Sequence, residues 1–143
     1  MYPGLTYLGE SEKWAWGAQA LGIVRLGENS NDYRLGDGYR LGAWAEFKAA
    51  DWLGPSLRLA WHGWGNVHGA DPELDPARNP AFDASKQSGE RLDLVLGLNL
   101  YAPRGWLKGT RLSIEGGVPL YQNLAGPNMA VNWFITAGLT YTF

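Results

Sequence analysis

Five leucines, Leu92, Leu94, Leu96, Leu98 and Leu100, take every second position of one stretch, with Arg91, Asp93, Val95, Gly97 and Asn99 between them. Successive side chains of a strand point to opposite faces, so this stretch predicts a strand with one apolar and one mostly polar side. The same alternation recurs along the chain. Leu112, Ile114, Gly116, Val118 and Leu120 alternate with Arg111, Ser113, Glu115, Gly117 and Pro119. Val131, Trp133, Ile135, Ala137, Leu139, Tyr141 and Phe143 alternate with Asn132, Phe134, Thr136, Gly138, Thr140 and Thr142. Upstream, Leu57, Leu59 and Trp61 face away from Arg58, Ala60 and His62, and Tyr39, Leu41, Ala43, Ala45 and Phe47 face away from Arg40, Trp44, Glu46 and Lys48. Trp14, Trp16, Ala18, Ala20, Val24 and Leu26 likewise face away from Lys13, Gln19 and Arg25. With a short first strand, the pattern predicts seven strands at 2–8, 13–26, 38–49, 55–66, 90–102, 110–121 and 130–143. The fold class is therefore all-β: an antiparallel meander in a single domain over residues 1–143.

Most of these strands are twice the usual soluble length of about five or six residues. They match the about 9–11 residues a tilted strand needs to cross a bilayer. The connections at 9–12, 50–54 and 103–109 are short, whereas 27–37 and 67–89 are long and polar. Outer-membrane barrels have short periplasmic turns and longer outer loops. Trp14, Trp16, Trp52 and Trp106 cluster beside the short turns, and Tyr39, Tyr121 and Trp133 lie near the other ends, as in two interfacial aromatic girdles. Alternation alone does not say which face is inside. A soluble lipocalin-like barrel or sandwich would turn the apolar face inward onto a core. Strand length, aromatic placement and the absence of a helical pattern favour the membrane reading.

Composition agrees. Charged residues are 18% of the chain, below the usual quarter, while there are 20 glycines and 8 tryptophans. A net charge of −2 provides no basic field for nucleic acid. Without cysteine there are no disulfides, thiolate metal sites or thiol nucleophiles. The start, MYPGLTYLGE, lacks the features of a signal peptide, so an exported chain must have lost one or be a fragment.

The C-terminus resembles the β-signal of outer-membrane proteins, with Thr136, Gly138, Tyr141 and Phe143 in its polar, glycine and aromatic positions. That resemblance implies recognition by the barrel-assembly machinery. PGLTYLG (3–9), WAWGAQALGIVRLGENSNDYRLGD (14–37), GADPELDPA (69–77) and GGVPLYQNLAGPNMAVNWFITAGLTYTF (116–143) resemble the meta-pathway phenol-degradation family, often labelled simply "transporter". The resemblance covers most of the chain and corresponds to the C-terminal part of a longer family member. It implies a transmembrane β-barrel of the Gram-negative outer membrane, in contact with lipid. It implies no catalytic residues, and the family's name alone suggests an aromatic substrate.

On the barrel reading the polar face lines the lumen. It carries Gln19, Arg25, Arg40, Glu46, Arg58, His62, Arg91, Asp93, Asn99, Arg111, Glu115 and Asn132. Paired, these charges fill a narrow barrel. Beside water, they line a pore and select solutes. His62, Ser113 and Glu115 supply the residue types of a hydrolytic triad, but Ser113 lies in no nucleophile motif. In the loop at 68–83, His68, Asp71, Glu73, Asp75 and Asp83 offer oxygen and nitrogen ligands, but their spacing matches no EF-hand. We therefore expect no enzyme, metal or cofactor. The expectation is a channel or transporter for small molecules. The alternatives are a structural or adhesive barrel with a plugged lumen and a lipid-modifying enzyme. Both ends of such a barrel normally lie in the periplasm, which requires an even strand number. Seven strands predict a C-terminal fragment of a longer barrel, with strands missing before Met1 and either unpaired edges at the first and seventh strands or a forced closure between them.

Overall fold

A computed structural model describes residues 1–142. The strands are β1 (Gly4–Glu10), β2 (Trp14–Ile23), β3 (Tyr33–Arg34), β4 (Gly38–Phe47), β5 (Leu53–Trp64), β6 (His68–Gly69), β7 (Gly89–Tyr101), β8 (Thr110–Leu124) and β9 (Phe134–Tyr141). Seven of them form one antiparallel sheet in the order β1-β2-β4-β5-β7-β8-β9, a meander in which each long strand pairs with the long strand before it in the chain. The two-residue strands β3 and β6 pair with each other and join the two long connections. The sheet is open, with β1 and β9 at its edges.

Cross-strand pairing keeps the faces segregated. Leu57 pairs with Leu96, Leu59 with Leu94 and Trp61 with Leu92. Leu98 pairs with Ile114, Leu100 with Leu112, and Leu112 in turn with Leu139. A one-residue slip would move every leucine to the other side, so the alternation excludes odd shifts of register. Leu5, Tyr7, Ala18, Ala20, Leu41, Ala43 and Ala45 continue the apolar face across β1, β2 and β4.

Every long strand differs from the sequence reading at one end or both, and β5 is shifted two residues earlier, to Leu53–Trp64. β2 stops at Ile23, so Val24 and Leu26 lie in the connection, where Arg25 donates its backbone N–H to Asp37. β9 begins at Phe134, leaving Val131, Asn132 and Trp133 outside it, with Val131 held through N–H and carbonyl by the Gln122 amide. β1 is shifted to Gly4–Glu10, and β8 runs on to Leu124. β8 extends through a bulge: Asp93 pairs with Pro119 but Leu92 pairs with Tyr121, leaving Leu120 as the extra residue. Beyond it the alternation changes phase. Tyr121 joins the apolar face and Gln122 the polar one. Pro119 has no N–H to donate, and a bulge is one of the few places a sheet tolerates that.

The burial is inverted relative to a soluble domain. Among the described apolar residues only Ala60 and Val95 are buried, and the largest fully buried side chains are Val95 and Asp93. Leu96 is 64% exposed, Ile135 67% and Leu139 73%. The exposed area is 10075 Å², whereas a compact monomer of this mass exposes about 7,300 Å². Among the described residues no second layer covers the apolar face, because the long strands make their extensive contacts only with sheet neighbours. A lipocalin-like closed apolar interior is likewise absent among them.

Candidate functional site: the polar face of the sheet

The polar side chains stand in rows across the strands. Nearest the long connections, Arg40, His62, Arg91 and Gln122 are successive register partners on β4, β5, β7 and β8. One step toward the short turns come Gly42, Ala60, Asp93 and Pro119, then Trp44, Arg58, Val95, Gly117 and Phe134. Glu46, Ser56, Gly97, Glu115 and Thr136 form the next row, and Gly54, Asn99, Ser113 and Gly138 the one below it. Tyr101, Arg111 and Thr140 stand closest to the short turns.

Two networks link these rows. Near the turns, the Asn99 amide donates to Glu46 (2.9 Å) and the Tyr101 hydroxyl donates to the same carboxylate (2.6 Å). The Arg111 guanidinium (2.8 Å) and the Ser113 hydroxyl (2.7 Å) both donate to the Asn99 carbonyl oxygen. Arg111 also lies 3.6 Å from Glu46 and over the Tyr101 ring, while Arg58 pairs with Glu115. Asn99 joins Glu46 to Arg111 and Ser113 because its amide offers both donor and acceptor. Farther up, Asp93 has a side chain only 1% exposed, with Arg91 Nε 2.9 Å from one carboxylate oxygen and 3.0 Å from the other. His62 Nε2 approaches the same carboxylate at 3.7 Å.

Of the residues singled out from the sequence, Arg40, Glu46, Arg58, His62, Asp93 and Glu115 share this face. Asn132 does not join them. It is exposed in the connection before β9. Gln19 donates to Thr6 between β1 and β2, away from both networks. His62, Ser113 and Glu115 each have a different partner: Asp93, Asn99 and Arg58. Thr136 and Gly138 stand on the polar side of β9 and Tyr141 on the apolar side, paired with Thr110. Phe143 lies outside the described residues. Tyr101 was not among the sequence candidates. One more step of the alternation beyond Asn99 would have found it.

Glycines let large rings lie flat on the same face. A methyl at Gly17 would collide with the Trp44 ring, and one at Gly117 with the Phe134 ring. Each ring covers a bare stretch of backbone on the neighbouring strand. Between Trp44, Arg58, Tyr101 and Arg111 the face is hollowed by a concavity of about 570 Å³, which Glu46, Asn99 and Glu115 also line.

The long connections are ordered by their own side chains. Asp71, Asp75, Asn79 and Asp83 recur every fourth residue, and each accepts from the N–H two residues on: Glu73, Ala77, Ala81 and Ser85. The first three are followed by Pro72, Pro76 and Pro80. Repeated Asx turns thus build this loop, and their period was present in the sequence. Asp71 also accepts from the Asn31 amide at 2.6 Å, beside the β3–β6 pair. This bond, then the Glu73 N–H, holds the Asp71 carboxyl below its ordinary value. The Ser85 hydroxyl, then Lys86, does the same for Asp83, and the Arg25 backbone N–H for Asp37. The aspartates of the loop are engaged in its own turns, and no group of three or more metal-ligating side chains converges among the described residues.

No family model, curated protein or solved structure matches this chain.

Proposed function

We propose that this chain is part of the wall of a transmembrane β-barrel in a bacterial outer membrane, with its polar face lining a passage for small molecules. The observation that carries the reading is the inverted burial: leucines stand exposed on one face while Asp93 and Asn99 are buried on the other. In water such a surface is a liability. In lipid it is the required one, and a charge on it would cost about 2–4 kcal/mol at mid-membrane. The aromatic rings support the same orientation. Trp14 packs on Phe47 at 4.9 Å near the short turns, and Tyr39 meets Trp61 edge-on at 6.3 Å near the other end. Tyr39 and Phe47 belong to the same strand, β4. Their separation is about 27 Å along the strand. With a tilt of about 40° this spans about 20 Å of membrane, close to the apolar band of such barrels. The sequence resemblance to an outer-membrane transporter family points the same way.

Lipid cannot satisfy unpaired backbone groups. The reading therefore requires that both sheet edges find strand partners in the membrane. Expression with an export leader in a Gram-negative host, followed by membrane fractionation and heat-modifiable gel migration, tests the localisation. Recovery in the outer membrane as a heat-modifiable species is the expected result. Recovery as a monodisperse protein in the periplasm would contradict it.

A second reading, a plugged structural barrel, is favoured by one observation: Arg58, Arg91 and Arg111 all meet carboxylates on the same face. Conductance separates the two. A passage conducts ions in a planar bilayer, and a plugged wall inserts without conducting.

A further inference from the structure

Among the described residues, the row nearest the long connections is the part of the polar face where charge is not balanced. Arg40 is the register partner of His62, and His62 of Arg91, so three adjacent strands present two guanidiniums and an imidazole side by side. Asp93, one step below, is the carboxylate that meets this row, at Arg91 and His62. Glu90, the next acidic residue on β7, turns to the opposite face, where the Tyr121 hydroxyl donates to it at 3.0 Å. Among the described residues no carboxylate lies within ion-pair distance of Arg40, which is exposed. With His62 neutral the row still carries one more positive charge than negative. Nearer the turns, by contrast, Arg58 and Arg111 are matched by Glu115 and Glu46.

We propose that this row selects small anions, halides and carboxylates, over cations. The proposal rests on the passage inferred above and adds its selectivity. A guanidinium held on a wall of low dielectric, with no counter-ion of its own, raises the local concentration of anions and offers paired N–H donors to a carboxylate. Rings of fixed charge set ion preference in this way. Asp93 tempers the site without abolishing it, because its single charge meets Arg91 and His62 and leaves Arg40 unmatched.

The test is zero-current potential across planar bilayers holding the reconstituted protein, under a potassium chloride gradient and then a potassium acetate gradient. The wild type is expected to prefer the anion in both salts. Arg40→Gln should reduce that preference several-fold, and Arg40→Glu should turn it toward potassium. Arg78→Gln, in the exposed outer loop, should leave it unchanged. Arg40 is exposed, so both replacements should keep the fold, which heat-modifiable migration verifies. Absence of any conductance overturns the passage and the selectivity together. Conductance without anion preference, or with a preference that Arg40→Gln and Arg40→Glu leave unaltered, overturns the selectivity and leaves the passage standing.

Discussion

Asp93 and Glu115 are both carboxylates on the polar face, each beside an arginine, yet their surroundings differ. The Asp93 side chain is 1% exposed and that of Glu115 31%. A pair removed from water leaves an uncompensated charge when one member is lost, whereas a half-exposed pair is screened. Asp93→Asn is therefore expected to cost about 3 kcal/mol or more, and Glu115→Gln about 1 kcal/mol or less, read by urea unfolding in detergent micelles. Equal costs would contradict this picture of the face. Gly116 and Gly117 offer a second contrast at adjacent positions. A methyl at Gly117 meets the Phe134 ring, while one at Gly116, on the apolar side, meets nothing within 4 Å. Gly117→Ala is expected to destabilise by about 1–3 kcal/mol through overpacking, and Gly116→Ala to be neutral or mildly stabilising, in the same assay. At this scale the sequence was legible for which residues face together and mute on who bonds whom. Alternation put Asn99 and Glu46 on one side, but their meeting depends on a register between β4, β5 and β7 that no local pattern encodes.

At the scale of elements, all seven long strands were legible, because strict alternation over many residues marks an extended strand with two unlike faces. Their ends were less so. The bulge at Leu120 is invisible to a period-two reading, since Leu120 itself continues the alternation and only the pairing of Leu92 with Tyr121 reveals the extra residue. The polar, proline-rich loop composition gave no sign of the β3–β6 clasp between the connections, as a two-residue pairing has no periodicity to display. The clasp carries a pH prediction. Asp71 and Asp83 have carboxyl groups held below the ordinary value of 3.8 by bonds formed in the folded loop. A depressed folded pKa means that the contribution to stability is complete above the unfolded value and is lost as pH falls through the folded one. The clasp should therefore stay closed through neutral and mildly acidic pH and loosen only below about 3.8. The side-chain amide resonance of Asn31, which donates to Asp71, reports this directly. A transition centred well above the ordinary carboxylate range would contradict the bonding described for the loop.

At the scale of the whole molecule, the question left open by alternation was which face is outside. In the open sheet 10075 Å² is exposed and, among the described residues, no layer covers the leucines; which face is outside belongs to the proposal. Part of a barrel wall, with unpaired edges at the first and seventh strands or a closure forced between them, was expected from strand length and turn asymmetry. The sheet remains open at β1 and β9, and closure belongs to the proposal rather than to the observed fold. The central claim is that the apolar face meets lipid and the polar face meets water, and the absence of native cysteine makes it accessible to single-cysteine labelling. Spin labels placed one at a time along β7, at Leu94, Val95, Leu96, Gly97, Leu98 and Asn99, would be measured in bilayers for collision with oxygen and with a water-soluble nickel reagent. The expected result is a strict alternation, with oxygen dominant at Leu94, Leu96 and Leu98 and nickel at Val95, Gly97 and Asn99. Uniform accessibility to nickel, or an alternation of the opposite phase, would contradict it.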